Sequence, residues 1–256
     1  MQLRRSKMAI KNEFSYENAL LFAQLAQHCY LDEKQFKAQA KLLGFDNIKF
    51  FDKDGAQAYG LVKDNQVILA FRGTEPTQLN DIAADIKAFH VRNELGVGRV
   101  HKGFKAEVDD LWIHIEQWLS KQKFEQAFTC GHSLGGAMST IAASRLPKGT
   151  ICYNFGSPRV GTPGWVKAFN KDYKLYRFVN NNDAVTRVPF ATMYYKHAGN
   201  LHYINTYGNI RNATLWQRIK DRFRGYRNAW ANKVWFDSFS DHSMVKYVEH
   251  ISKFSK

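Results

Sequence analysis

The hexapeptide Gly131-His132-Ser133-Leu134-Gly135-Gly136 places a hydroxyl between glycines at a change of structure. It reads G-x-S-x-G with a further glycine. An apolar run ending in Ala127-Phe128-Thr129-Cys130 precedes it and predicts a strand. Ala137 to Ser144, rich in small residues, predicts a helix, with Pro147 beyond its end. A serine on such a strand-to-helix turn is strained, with its hydroxyl exposed, and is suited to nucleophilic acyl transfer.

A serine hydroxyl is a weak nucleophile at neutral pH, so it needs a base, and the base needs an orienting acid. In chains of this kind the order is Ser, then Asp or Glu, then His. The acids after Ser133 are Asp172, Asp183, Asp221, Asp237, Asp241 and Glu249. Asp183 is the first choice, because it follows the alternating run Leu175-Tyr176-Arg177-Phe178-Val179 and three asparagines. That puts a carboxylate on a loop past a strand end, where sites form in α/β sheets. Asp237 and Asp241 are the next candidates. The histidines beyond Asp183 are His197, His202, His242 and His250. His242, in Ser240-Asp241-His242-Ser243-Met244, enters a final helix predicted from Met244 to Phe254 and is the chosen base. His197 and His202 fit structural hydrogen bonding, His250 a surface position, and His132 a role in shaping the turn.

An oxyanion needs two donors. The N–H of Leu134, after the nucleophile, supplies one. The second comes from a loop after an earlier strand. Val67-Ile68-Leu69-Ala70-Phe71 is the strongest strand run and leads into Arg72-Gly73-Thr74, so Thr74 is assigned.

Five motifs in order give the chain its resemblance to a known family. They are Phe71-Arg72-Gly73-Thr74, Val100-His101-Lys102-Gly103-Phe104, Gly131 to Ala137, Phe155-Gly156-Ser157-Pro158-Arg159-Val160-Gly161, and the Asn182-Asp183 to Pro189 segment with Asp241-His242. Tyr195 to Tyr203 fits the turn before a late strand. Across roughly residues 15 to 250 the chain resembles the class 3 lipases, fungal-lipase-like α/β-hydrolases. The resemblance implies a mostly parallel sheet flanked by helices. It also implies Ser133 as nucleophile, Asp183 as acid, His242 as base, and Thr74 with Leu134 as the oxyanion hole. One departure is the stretch Glu75 to Asp85, where secreted fungal members carry a tryptophan-bearing lid helix. Tryptophan is missing there, although Asp85 matches an acid of the pattern.

The elements that must hold these residues fit one domain over residues 1–256, with residues 1–14 a flexible basic N-terminus. A helix is predicted over residues 15 to 30, a hairpin from Phe50 to Leu69 with turns at Asp52 to Gly55 and Lys63 to Asn65, and a helix from Val108 to Leu119. No apolar stretch reaches membrane-spanning length. The basic start lacks an apolar core, because Lys11, Asn12 and Glu13 interrupt it, so no cleavable secretory signal is read. Cys29, Cys130 and Cys152 are odd in number and sit in apolar contexts. They point to reduced thiols in the cytoplasm, or to export without such a signal.

The formal net charge is +14. It is concentrated between Arg211 and Lys233, where Trp216, Ile219, Phe223, Tyr226 and Trp230 recur at helical spacing. Arg218, Arg222, Arg224 and Arg227 lie between them and predict docking on an anionic membrane surface. The alternative is an aromatic face packed on the domain beneath solvated charges.

These readings predict a lipolytic serine hydrolase acting on esters of acylglycerols or phospholipids, or on a smaller ester. Its expected partners are the lipid substrate and an anionic membrane, without metal, organic cofactor or nucleic acid. The competing function is a non-catalytic basic module that retains the hydrolase fold and binds membrane or nucleic acid.

Overall fold

The computed structural model describes residues 9–74, 89–211, 214, 216, 217, 219–221 and 241–255. Strands β1 (Asn47–Lys53), β2 (Ala56–Lys63), β3 (Gln66–Phe71), β6 (Gln126–His132), β7 (Ile151–Phe155), β8 (Lys174–Asn180), β9 (Asn200–Ile204) and β10 (Ile210–Arg211) form one eight-stranded sheet. Its spatial order is β1-β2-β3-β6-β7-β8-β9-β10. The pairs from β3 through β9 are parallel. Both edges are antiparallel, β1-β2-β3 on one side and β9-β10 on the other. Short strands β4 (His90–Val91) and β5 (Val100–His101) make a separate ribbon.

The apolar run of β3 is continuous because this central strand is covered on both faces. Val67, Leu69 and Phe71 enter one core, and Ile68 and Ala70 the other, as the two-residue period of a strand requires. The first core packs under helices α3 (Lys102–Leu119), α4 (Leu134–Ala143) and α5 (Pro163–Asp172). The second packs under α1 (Tyr16–His28), α2 (Glu33–Leu42) and α6 (Met244–Ser252). The molecule therefore has the α/β-hydrolase architecture expected from its sequence.

Several boundaries differ from the sequence reading. The predicted hairpin is a three-stranded meander. Its two-residue turns, Asp54-Gly55 and Asp64-Asn65, have positive φ at every central position, which matches the twist of the flanking strands. Helix α3 starts at Lys102 rather than Val108, because the His101 side chain accepts a hydrogen bond from Phe104 N (3.3 Å) and caps it. The last helix stops at Ser252. Of the flexible tail expected over residues 1–14, residues 1–8 lie outside the described residues, whereas Ile10 is buried and its carbonyl accepts from Gln66 Nε2 at 2.9 Å. Phe14 stacks on His202 with ring centroids 4.4 Å apart.

Cys29, Cys130 and Cys152 are all buried and unbridged. Among the described residues no helix is long and apolar enough to cross a membrane.

Candidate active site

The turn from β6 into α4 is tight enough to dictate its composition. A Cβ on Gly131 would lie 2.2 Å from the Gly135 carbonyl oxygen, and one on Gly135 would lie 2.3 Å from the Phe71 carbonyl oxygen. Ser133 sits at φ 56 and ψ −127, a strained conformation for a residue with a side chain. Its N–H donates to the Phe155 carbonyl at 3.0 Å, so β7 pins it from the side. The sequence puts this serine in the open, yet only 1% of it is exposed. The loop after β3 closes on it: a Cβ at Gly73 would stand 3.3 Å from Ser133 Cβ.

Asp183 and His242 come from distant parts of the chain and meet behind the sheet edge, 0% and 1% exposed respectively. His242 Nδ1 lies 2.9 and 2.8 Å from the two Asp183 oxygens. A carboxylate accepts, so Nδ1 carries the proton and Nε2 is left as the basic nitrogen. Nε2 is buried with no hydrogen-bond partner among the described residues. It makes no hydrogen bond to the Ser133 hydroxyl either, so the nucleophile–base contact of a triad is not closed in this structure.

The aspartate is itself held by two further donors. Val185 N donates to Oδ1 at 3.0 Å, and the Tyr247 hydroxyl donates to Oδ2 at 2.6 Å. Tyr247 accepts in turn from Asn180 N at 2.9 Å. Burial, then the neighbouring Asp183, push the Tyr247 phenol well above its ordinary value, which keeps it a donor. His132 supports the other partner. A carbonyl oxygen only accepts, so His132 Nε2 donates to the His242 carbonyl (2.8 Å), and its Nδ1 accepts from the Tyr30 hydroxyl (2.7 Å). Burial, then His242, hold the His132 imidazole well below its usual pKa, hence neutral.

The remaining candidates are engaged elsewhere. Asp172 pairs with Lys148, and Glu249 with Lys253. Asp221 accepts from Tyr203 and from Thr206 N. Asp241 accepts from Asn182 N and pairs with Lys246, so it braces the loop that carries Asp183. His197 Nε2 donates to the Thr186 carbonyl. His202 stacks on Phe14 and Phe178, and burial pushes its pKa down to about 4. His250 is half-buried against Gly208 rather than on the surface. Asp237 lies outside the described residues, as do Asp85 and the lid-like stretch from Glu75.

Thr74 and Leu134 line one cavity of about 370 Å³. Leu134 is the first residue of α4, where the N–H has no acceptor within the helix and the helix dipole favours negative charge. Arg218, Arg222, Arg224 and Arg227 also lie outside the described residues. Nearby, Trp216 is exposed, and Lys220 Nζ sits 5.6 Å from the centre of its ring. Among the described residues no group of three or more His, Cys, Asp or Glu is arranged to hold a metal ion.

Sequence reasoning missed Tyr247, Tyr30 and Asn180. Tyr247 falls on the buried stripe of α6 with Met244 and Ile251, a pattern that signals core packing but not a polar contact.

A buried Asp–His pair and a serine on a strand-to-helix elbow, carried by this sheet, are the arrangement of the α/β-hydrolase fold. Residues 68–193 match the model of the family "Lipase (class 3)". Over that segment the chain is similar to the class 3 lipases. It is 29% identical over 161 residues to the secreted mono- and diacylglycerol lipase A of Penicillium cyclopium, covering 59% of this chain and 52% of that one. It is 31% identical over 162 residues to the toxin TseL of Vibrio cholerae, covering 60% of this chain and 25% of that one. The chain thus spans about half or less of these relatives' lengths. Among solved structures, a mutant form of MDLA from Penicillium cyclopium superposes with a TM-score of 0.63 at 23% identity, covering 80% of this chain and 86% of that one. The Rhizomucor miehei triacylglyceride lipase gives 0.60 at 23% identity, covering 75% and 82%. These likenesses bear on the fold.

Proposed function

We propose that this protein is a lipolytic serine hydrolase that cleaves carboxylic esters of acylglycerols or phospholipids within a single α/β domain. Ser133 Oγ attacks the ester carbonyl while His242 Nε2 takes its proton. Asp183 holds the imidazole in the tautomer that leaves Nε2 basic, and stabilises the imidazolium that forms. The N–H of Leu134 and the N–H or hydroxyl of Thr74 donate to the oxyanion. Each donor of this kind contributes about 3 kcal/mol to the barrier difference. His242 then gives the proton to the departing alcohol, leaving an acyl ester on Ser133. Water, deprotonated by His242, releases the fatty acid by the same route reversed.

The observation that carries this reading is the buried Asp183–His242 pair, which leaves Nε2 as the basic nitrogen, on the same fold as the strained serine of the β6–α4 elbow. The relatives support lipid esters as the substrate class, since those described as mono- and diacylglycerol lipases act on such esters. We further propose that Arg218, Arg222, Arg224 and Arg227 dock the enzyme on anionic lipid, a reading carried by their spacing among aromatics.

The test is fatty-acid release by the purified protein from short esters, acylglycerols and an anionic phospholipid, beside Ser133→Ala. Release that vanishes in the variant is the expected result. Release that survives it would remove the serine from the mechanism.

A further inference from the structure

The tightness of the elbow explains Gly131 and Gly135 but not His132. That residue is buried where an apolar side chain would pack without needing any partner. Instead both of its ring nitrogens are hydrogen-bonded. The rings of Tyr30, His242 and Tyr247 stand around it, with centroids 5.8, 4.3 and 6.0 Å away. A polar ring in such surroundings is tolerable only while each of its hydrogen bonds is met.

Tyr30 sets the tautomer of His132. The His242 carbonyl can only accept, so His132 Nε2 carries the proton and Nδ1 holds a lone pair. The Tyr30 hydroxyl donates to that lone pair at 2.7 Å. With the proton on Nδ1 instead, His132 Nε2 would face the carbonyl oxygen with no hydrogen between them, two buried acceptors without a donor. Tyr30 thus does for His132 what Asp183 does for His242.

The same hydroxyl meets the loop that leads to Thr74. A Cβ on Gly73 would lie 2.5 Å from the Tyr30 hydroxyl oxygen and 2.5 Å from the His132 carbonyl oxygen, so the loop rests on both and only glycine fits. The Arg72 guanidinium stands 6.0 Å from the centre of the Tyr30 ring. Tyr30 is anchored just past α1, where its N–H donates to the Gln27 carbonyl at 3.2 Å.

Three parts of the reacting centre converge on these two side chains. The elbow joins through the main chain of His132, the oxyanion loop through Gly73, and the base through its carbonyl. We propose that Tyr30 and His132 are a positioning unit, which locks the main chain of His242 to the Ser133 elbow and to the oxyanion loop. Asp183 fixes the His242 ring at Nδ1, and this second anchor fixes the backbone that carries the ring. Neither residue of the pair acts on substrate. The proposal rests on the serine-hydrolase reading above and adds positioning residues to it. Placement is critical because a shift of about 1 Å between base and nucleophile costs about a hundredfold in rate.

The test measures kcat and KM for p-nitrophenyl butyrate, a soluble ester. The wild type, Tyr30→Phe, His132→Phe, the double variant and Ser133→Ala are run side by side, with thermal midpoints recorded. Tyr30→Phe is expected to lower kcat by about tenfold, the rate equivalent of one buried hydrogen bond, with KM nearly unmoved. His132→Phe also leaves the His242 carbonyl unmet and should cost up to about a hundredfold. The two hydrogen bonds act as one chain, so the double variant should be no worse than His132→Phe alone. Nitrogen NMR of the histidine-labelled protein reads the tautomer directly: His132 carries its proton on Nε2 in the wild type and on either nitrogen in Tyr30→Phe. An unchanged kcat in Tyr30→Phe overturns the proposal, even where its thermal midpoint falls. So do losses that multiply in the double variant, or a His132 tautomer indifferent to Tyr30→Phe. Where His132→Phe does not fold, the kinetics and the spectrum of Tyr30→Phe decide. Failure of the hydrolase reading looks different: ester hydrolysis is then absent in the wild type, or persists in Ser133→Ala.

Discussion

The two sides of the Ser133 elbow are built on opposite terms. On the β8 and α6 side, Asp183 accepts from Val185 N, His242 and Tyr247, and His242 is braced through its carbonyl by His132 and Tyr30. Every one of those contacts is internal. On the β3 and α3 side, Thr74 and Leu134 face a cavity. The contrast follows from what each side meets. The proton-handling groups keep the same partners through the reaction, and a buried charge pair is tolerable only when fully hydrogen-bonded. The substrate-facing groups must exchange water for ligand, so they are left with unfilled valence.

The largest effects should come from the elbow and the closed side. Ser133→Ala is expected to cut hydrolysis by about 10⁴-fold or more while the protein stays folded, since it deletes one hydroxyl. Asp183→Asn should cost about 10⁴-fold in kcat, because the amide presents the wrong partner to Nδ1. Full activity in that variant would break the contrast, by showing the closed side to be structural only. Next in size is the lipid-docking step. Neutralising Arg218, Arg222, Arg224 and Arg227 together should weaken binding to anionic vesicles by about 1 kcal/mol per residue at most. Co-sedimentation reads this, and unchanged binding would assign those charges to solvent.

Tyr247→Phe sharpens the comparison, because it removes a single donor from the closed side. It should lower kcat by about ten- to a hundredfold, the range for a hydrogen bond to a charged group, and leave KM nearly unmoved. A change confined to KM would place Tyr247 on the substrate side.

The smallest expected effect is one of stability. His202 is held neutral in the fold, its pKa lowered from 6.5 to about 4 by burial first and Arg177 second. Between those values the unfolded chain binds the proton and the folded chain does not. Stability from this group is therefore full above pH 6.5 and falls as the pH drops toward about 4. Urea midpoints across that window should fall less steeply in His202→Phe than in the wild type. Equal slopes would show that acid sensitivity arises elsewhere, with buried His132 the next group to test.

Most of the closed side's principal atoms were legible in the chain. Ser133 announces itself because an elbow is a local structure. The glycines at 131 and 135 are required by contacts within a few residues and with the adjacent strand end. Asp183 and His242 were readable as loop residues past a strand and before a helix, in the order that α/β-hydrolase chains follow. The braces behind them were not. Tyr30 reaches His132 across 102 positions, and Tyr247 reaches Asp183 across 64. Neither has a periodicity different from a packed aromatic.

Residue order was enough to nominate Ser133, Asp183 and His242, because turn sterics and hydrophobic period act between near neighbours, and the resemblance it carries was enough to expect the mostly parallel sheet. Three-dimensional packing was needed to choose the tautomer of His242 and to spend some acids on loops. Those outcomes depend on burial and on partners supplied by strands and helices distant in the chain, and a hydrogen bond exists only where two such elements meet.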